Sequence, residues 1–176
     1  MDATDIPQCE LPRVAALAAS EAQAAPALQT ELQVVSTARD FCALANEWQQ
    51  LHAQARTTSL FNTWTWHFAW WEQHGSPGGL KILVARRAGV ASGIVPLHVA
   101  KGGVLGWGLR VLQLLGTQGE RNPYNIAPLF ERGAESATAR VLAQALLAMR
   151  GYDVLRLADT DASVPLATAL AHASEA

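Results

Sequence analysis

The sequence predicts a mixed α/β (α+β) domain, with a mainly antiparallel sheet and helices on both of its faces. Three observations carry this prediction. Between residues 80 and 130, short apolar runs alternate with Gly-, Pro- and Asn-containing breaks, as consecutive antiparallel strands do. Segments with helical apolar spacing flank that region, at 40–51, 64–74, 137–150 and 163–173. Strand-like runs at 31–37 and 152–158 stand beside those helices, so the two element types are interleaved.

Composition bounds the possibilities. A chain of 176 residues with 50% hydrophobic content can bury a substantial core, which excludes disorder throughout. With 16% charged residues and a net charge of −2, there is no broad basic surface for a nucleic acid. Two cysteines, Cys9 and Cys42, exclude a dense disulfide frame and a cysteine-rich zinc site, and a reducing compartment is the natural expectation. No apolar run reaches the roughly 20 residues of a membrane span. Acidic Asp2, Asp5 and Glu10 precede LPRVAALAAS where a secretory signal needs positive charge, so a cytoplasmic protein is expected.

Residues 1–30 are rich in Ala, Gln and Glu and broken by Pro7, Pro12 and Pro26, which predicts a flexible leader before a domain at 31–176. ELQVVST (31–37) has the β-branched content of a strand. From Asp40, Phe41, Leu44, Trp48 and Leu51 recur at helical spacing. FNTWTWHFAWW (61–71) holds six of the chain's twelve Phe, Tyr and Trp residues. Thr63 can cap a helix from Trp64 to about His74, stopped by Gly75, Pro77 and Gly78. Trp64, His67, Phe68 and Trp71 share one face and Trp66, Trp70 and Gln73 a neighbouring one, a wider apolar arc than one core-facing stripe needs.

LKILVARRAGVASGIVPLHV (80–99) reads as a hairpin, with Pro96 marking an edge or a bulge in its second strand. A Gly-rich bend at 102–108 leads to the strand LRVLQLLG, the polar loop TQGERNPYN (117–125) and the short run IAPLF. Ser136 or Ala137 opens a helix to Arg150, with Val141, Leu142, Ala145 and Met149 inward and Gly151 as its stop. YDVLRLA (152–158) is the last strand. SVPLATALAHA (163–173) is the last helix, with Ser163 as cap and Pro165 in its first turn.

From residue 31 to 173 this order resembles the GNAT acyltransferase superfamily, in which two helices follow the first strand, an antiparallel meander comes next, and a later helix binds the coenzyme A pyrophosphate. More narrowly, SLFNTWTWHFAWWEQHG, LKILVARRAGVASGIVPLHV and RVLQLLG are similar to the amino-terminal half of FemAB-like, cellulose-biosynthesis-associated acetyltransferases, which place two GNAT-like halves in one chain. The resemblance implies metal-free transfer of an acyl group from a thioester donor, acetyl-CoA or similar, to an amine or hydroxyl of a small-molecule or saccharide acceptor. The alternative it implies is a noncatalytic half-domain, a packing or acceptor-binding module for a second GNAT-like domain or another copy. Trp66 and Trp70 are then interface residues; the competing expectation is that both belong to the core.

A pyrophosphate site needs unpaired N–H groups at a helix N-terminus. Arg86-Arg87-Ala88-Gly89-Val90-Ala91 matches the family's pattern of letters, but a strand follows it, so a hairpin turn is expected there. The segment ahead of the 137–150 helix, residues 131–136, holds one glycine and two carboxylates that compete with phosphate for the same donors, although Glu135 also suits a helix start. Acyl transfer to an amine needs a proton acceptor and a donor for the departing thiolate. Glu120 and Tyr124 are the candidates, with Gln118, Arg121, Asn122 and Asn125 for substrate binding; the competing expectation is a polar turn shaped by Gly119 and Pro123. Asp159 and Asp161 lack further ligands at metal spacing, and capping of the next helix explains them. His67, His74 and His98 are scattered, and His67 is expected as a packed, hydrogen-bonded core residue. No Ser or Cys sits in a nucleophile-elbow pattern.

Overall fold

The computed structural model describes residues 30–56, 58–102, 108–117, 126–157 and 165–174. Strand β1 (Thr30–Val35) leads to Thr37, whose hydroxyl accepts from the Asp40 amide at 3.1 Å and starts helix α1 (Ala38–Ala43). The single helix expected here is two. At Leu44 the amide is shared between the carbonyls of Asp40 and Phe41, which tightens the turn before α2 (Ala45–Gln54) begins. The apolar stripe survives that break, because Phe41, Leu44, Trp48 and Leu51 are all buried.

A 3-10 turn (Leu60–Asn62) precedes α3 (Trp64–His74). Thr63 caps this helix as expected, accepting from the Trp66 amide at 3.3 Å and donating to the Leu60 carbonyl at 2.7 Å. Gly75 ends it where a Cβ would come within 2.4 Å of the Trp71 ring, so no larger residue fits.

Strands β2 (Ile82–Arg87) and β3 (Val90–Val95) form the expected hairpin. Its two-residue turn, Ala88 and Gly89, has φ of 49° and 77°, the double left-handed geometry that matches strand twist. The RRAGVA pattern therefore sits in a hairpin, with a strand after it. Past Pro96 the chain continues as β4 (Leu97–Gly102), then β5 (Leu109–Leu114) and the two-residue β6 (Leu129–Phe130).

Helix α4 (Glu135–Ala148) opens one residue earlier than expected and without a side-chain cap from Ser136, because Ala134 occupies the cap position. Strand β7 (Val154–Arg156) is shorter than the expected strand at 152–158, and α5 (Pro165–Ser174) closes the described chain. Ser163, Asp159 and Asp161 lie outside the described residues.

The strands pair in two groups, β1-β2-β3-β6 and β4-β5-β7, all antiparallel except β5 with β7. Pro96, which has no amide to donate, separates the two ladders within what is otherwise one long strand. Residues 79–81 bridge this break, because the Lys81 amide donates to Leu97 and the Val99 amide to Gly79.

Alternate residues feed opposite faces, as the pleat requires. Ile82, Val84 and Ile94 pack with Phe41, Trp48, Trp64 and Phe68 from α1, α2 and α3. Leu83, Ala85 and Val95 pack with Ala139, Leu142, Ala143 and Leu146 of α4 and with Leu166 of α5. Helices thus cover both faces of a mixed sheet. The approach of α4 is close: a Cβ on Gly93 would lie 2.6 Å from the Thr138 methyl. Among the described residues no helix is long and apolar enough to cross a membrane.

Candidate functional site

The long strand made of β3 and β4 has residues 79–87 on one side, so β6 and β5 share its other side, end to end. Between them the chain leaves the sheet at Leu115, whose amide donates to Pro96 at 2.9 Å, and returns near Pro128. The polar loop read from sequence departs at this point, in the middle of the sheet. Glu120, Tyr124, Gln118, Arg121, Asn122 and Asn125 all lie outside the described residues, so the structure describes the loop's two roots and not those side chains.

The roots are held by buried polar groups. On the outgoing side, the Thr117 hydroxyl donates to the Leu114 carbonyl at 2.6 Å. The Gln113 amide nitrogen donates to the Thr117 carbonyl at 3.2 Å and lies 3.1 Å from His98 Nε2. That contact makes Nε2 the acceptor and leaves the His98 proton on Nδ1. Gly116, at φ 102°, lies so close to α3 that a Cβ would be 2.3 Å from the Trp66 ring. On the returning side, Asn62 Oδ1 accepts from the Ala127 amide at 3.0 Å, and the Asn62 carbonyl accepts from Trp48 Nε1 at 2.9 Å. One asparagine therefore ties α2 to the loop root.

His67 is buried between the Trp48 and Trp66 rings, each with its centroid 5.2 Å away. It is packed as expected, but among the described residues neither ring nitrogen finds a hydrogen-bond partner of proper geometry, although the nearby Leu115 backbone favours the protonated form. Burial dominates and pushes its pKa down to about 3. His98 is likewise held at about 4, by burial opposed by the Thr117 backbone. Both imidazoles are neutral at pH 7 and can exchange hydrogen bonds but supply no charge. The Asn62 side-chain nitrogen is also buried without a partner among the described residues.

Trp66 and Trp70 are both half-buried. Trp66 packs edge-on to Phe61 and His67, and Trp70 lies between His74 and His98 at 5.1 and 5.0 Å. Their rings meet the loop root from the side of α3.

The second place of interest is the start of α4. Glu131 pairs with Arg87, and its amide donates to Ser92, the extra residue of the bulge in β3. Gly133, at φ 87°, donates its amide to Glu135 Oε2 at 2.8 Å, so a carboxylate of the helix sits on the amide just ahead of the cap residue Ala134. Arg56 lies 3.7 Å from the other oxygen of Glu135. The first arginine of the RRAGVA pattern, Arg86, is engaged elsewhere, gripping both carboxylate oxygens of Glu47 at 2.6 Å and Gln33 at 2.6 Å. Among the described residues no group of three or more His, Cys, Asp and Glu is placed to hold a metal ion.

Sequence reasoning missed Asn62 and the His98–Gln113–Thr117 chain. Their partners are far apart in sequence, so only the sheet register brings them together. The usable signal was Asn62 itself, a polar residue inside an aromatic run.

No protein-family model and no curated protein sequence matches the chain. Among solved structures it is similar to an aminoglycoside N-acetyltransferase, AAC(6')-Iy, in complex with CoA, with a TM-score of 0.48 and 16% identity over 86% of this chain and 90% of the other. It is also similar to a ribosomal-protein-alanine N-acetyltransferase from Brucella melitensis biovar Abortus 2308, with a TM-score of 0.40 and 21% identity over 73% and 78%.

Proposed function

We propose that the chain is a GNAT-type acyltransferase, moving an acyl group from a thioester donor such as acetyl-CoA to an amine or hydroxyl acceptor. The observation that supports this most is the path of the chain after β6. It runs through α4 and returns as β7 beside β5, in parallel, and among the described residues β6 and β7 are not paired with each other. A sheet interrupted there, with the first turn of α4 at the end of β6, offers backbone donors for a thioester carbonyl and for a diphosphate. The acceptor nitrogen or oxygen attacks the thioester carbon, the carbon–sulfur bond breaks, and the thiolate leaves. In this proposal Glu120 takes the acceptor's proton and Tyr124 protonates the thiolate, with Gln118, Arg121, Asn122 and Asn125 contributing to binding. A small molecule or saccharide as acceptor, and a link to cellulose or another exopolysaccharide, rest on the sequence resemblance. A thioester donor of this kind fits a cytoplasmic location.

One observation favours the second reading, a noncatalytic half-domain completed by a second GNAT-like domain or copy, with Trp66 and Trp70 contributing to that contact. It is the Glu135 carboxylate seated on the Gly133 amide, where a diphosphate would sit. Calorimetry with acetyl-CoA on the parent and on Glu135→Gln separates the readings. Saturable heat from the parent supports acyl transfer, and binding only after the substitution supports the half-domain. No heat from either protein at millimolar ligand refutes acyl transfer by this chain.

A further inference from the structure

Among the described residues strand β1 is an outer strand of the four-stranded group, and it carries few of the usual devices that keep an edge from pairing. It contains no Pro and no Lys, its register against β2 runs without a bulge from Thr30 to Val35, and Glu31 is its only charge. Leu32 and Val34 are 46% and 49% exposed. They share the face on which Ala85 and Leu83, their partners in β2, lie under α4. Val90, 60% exposed, extends this apolar margin at the hairpin end, opposite Arg87 and on the same face.

We propose that β1 is a homodimer edge, pairing antiparallel with β1 of a second copy about a two-fold axis through Gln33. The occupant follows from self-complementarity. Centred on Gln33, the register sets Leu32 opposite Val34 of the second copy, and Val34 opposite its Leu32, so the exposed apolar side chains cover one another on one face. Gln33 meets Gln33, Thr30 meets Ser36, and Glu31 meets Val35. The two Glu31 carboxylates stand four residues apart along the strands, about 14 Å, too far for strong repulsion. A centre on Leu32 or Val34 instead loses one of the two apolar pairings and shortens the overlap. The contact is small, so the dimer is expected to be concentration-dependent. This inference is independent of the acyltransfer reading.

The test is sedimentation velocity between about 5 and 200 μM, a range that brackets a small interface. The parent is expected to pass from monomer to dimer, and Val34→Lys to stay monomeric with unchanged circular dichroism. Gln33→Cys is expected to cross-link between copies under mild oxidation, because directly opposed Cβ atoms lie about 5 Å apart, whereas Glu31→Cys is not. A parent monomeric throughout, a dimer retained by Val34→Lys, or equal cross-linking at Glu31→Cys overturns the proposal.

Discussion

Acid should weaken this fold well above the pH at which carboxylates titrate, and His67→Leu should remove half of the effect. His67 and His98 are held at about 3 and about 4 in the folded chain, each by burial. In the unfolded chain both return to about 6.5. A depressed folded value means that only the unfolded state takes up the proton as the pH drops through 6.5. The stability is therefore complete above pH 6.5 and is lost progressively down to the folded values. Each histidine costs about 1.4 kcal/mol per pH unit in that window, or about 2 kcal/mol between pH 7.5 and pH 5. Together they remove about 4 kcal/mol, a large share of the 5–15 kcal/mol typical of a domain.

His67→Leu should lower the pH 7.5-to-5 loss from about 4 to about 2 kcal/mol. At pH 7.5 its own effect should be small or stabilising, because it removes two unpaired buried nitrogens at the expense of two ring contacts. Urea unfolding followed by tryptophan fluorescence at three pH values measures this directly. An unchanged acid loss in the variant would refute the burial of a neutral His67.

Other substitutions probe the packing around the loop roots. Gly116→Ala drives a methyl into the Trp66 ring at a left-handed φ and should destabilise by about 2–4 kcal/mol in thermal or urea unfolding. Gly93→Ala meets the Thr138 methyl and should cost about 1–3 kcal/mol, since α4 must shift away from the sheet. Asn62→Leu leaves the Ala127 amide without its acceptor and should cost about 1–2 kcal/mol. In hydrogen exchange the Ala127 amide should lose protection in that variant while the amides of β2 keep theirs.

Local chemistry explains what could be read in advance. Thr63 and Gly75 bracket α3 through contacts within the helix itself, and the Ala88–Gly89 turn fixes the hairpin between two apolar runs, so neither needed the rest of the molecule. Leu44 was invisible as a break because its side chain keeps the apolar spacing on both sides of it. The shortness of β6 and β7 reflects partner strands: IAPLF and YDVLRLA both read as strands, but among the described residues only Leu129–Phe130 and Val154–Arg156 lie opposite another strand. Pro96 was legible as an irregularity, yet its consequence, two ladders sharing one long strand, depends on where β5 and β6 dock. For the candidate site, the loop at 117–125 was located from its polar content. The buried groups that hold its roots, Asn62 from one side and His98 with Gln113 from the other, are tertiary neighbours with no local pattern. Glu135 was legible as a helix-start residue, but the amide it accepts from, that of Gly133, lies ahead of the cap and follows from the turn before α4.

The central claim is that a thioester donor binds where β6 and β7 part, with its diphosphate on the first turn of α4. Titrating the ¹⁵N-labelled chain with acetyl-CoA tests it most directly. The account predicts saturable shifts at the amides of Gly133, Ala134 and Glu135 and at the loop root, Leu115 to Thr117, with β1 unmoved. Binding that shifts other amides and leaves those six unchanged would contradict it, as would no shift at all at millimolar ligand.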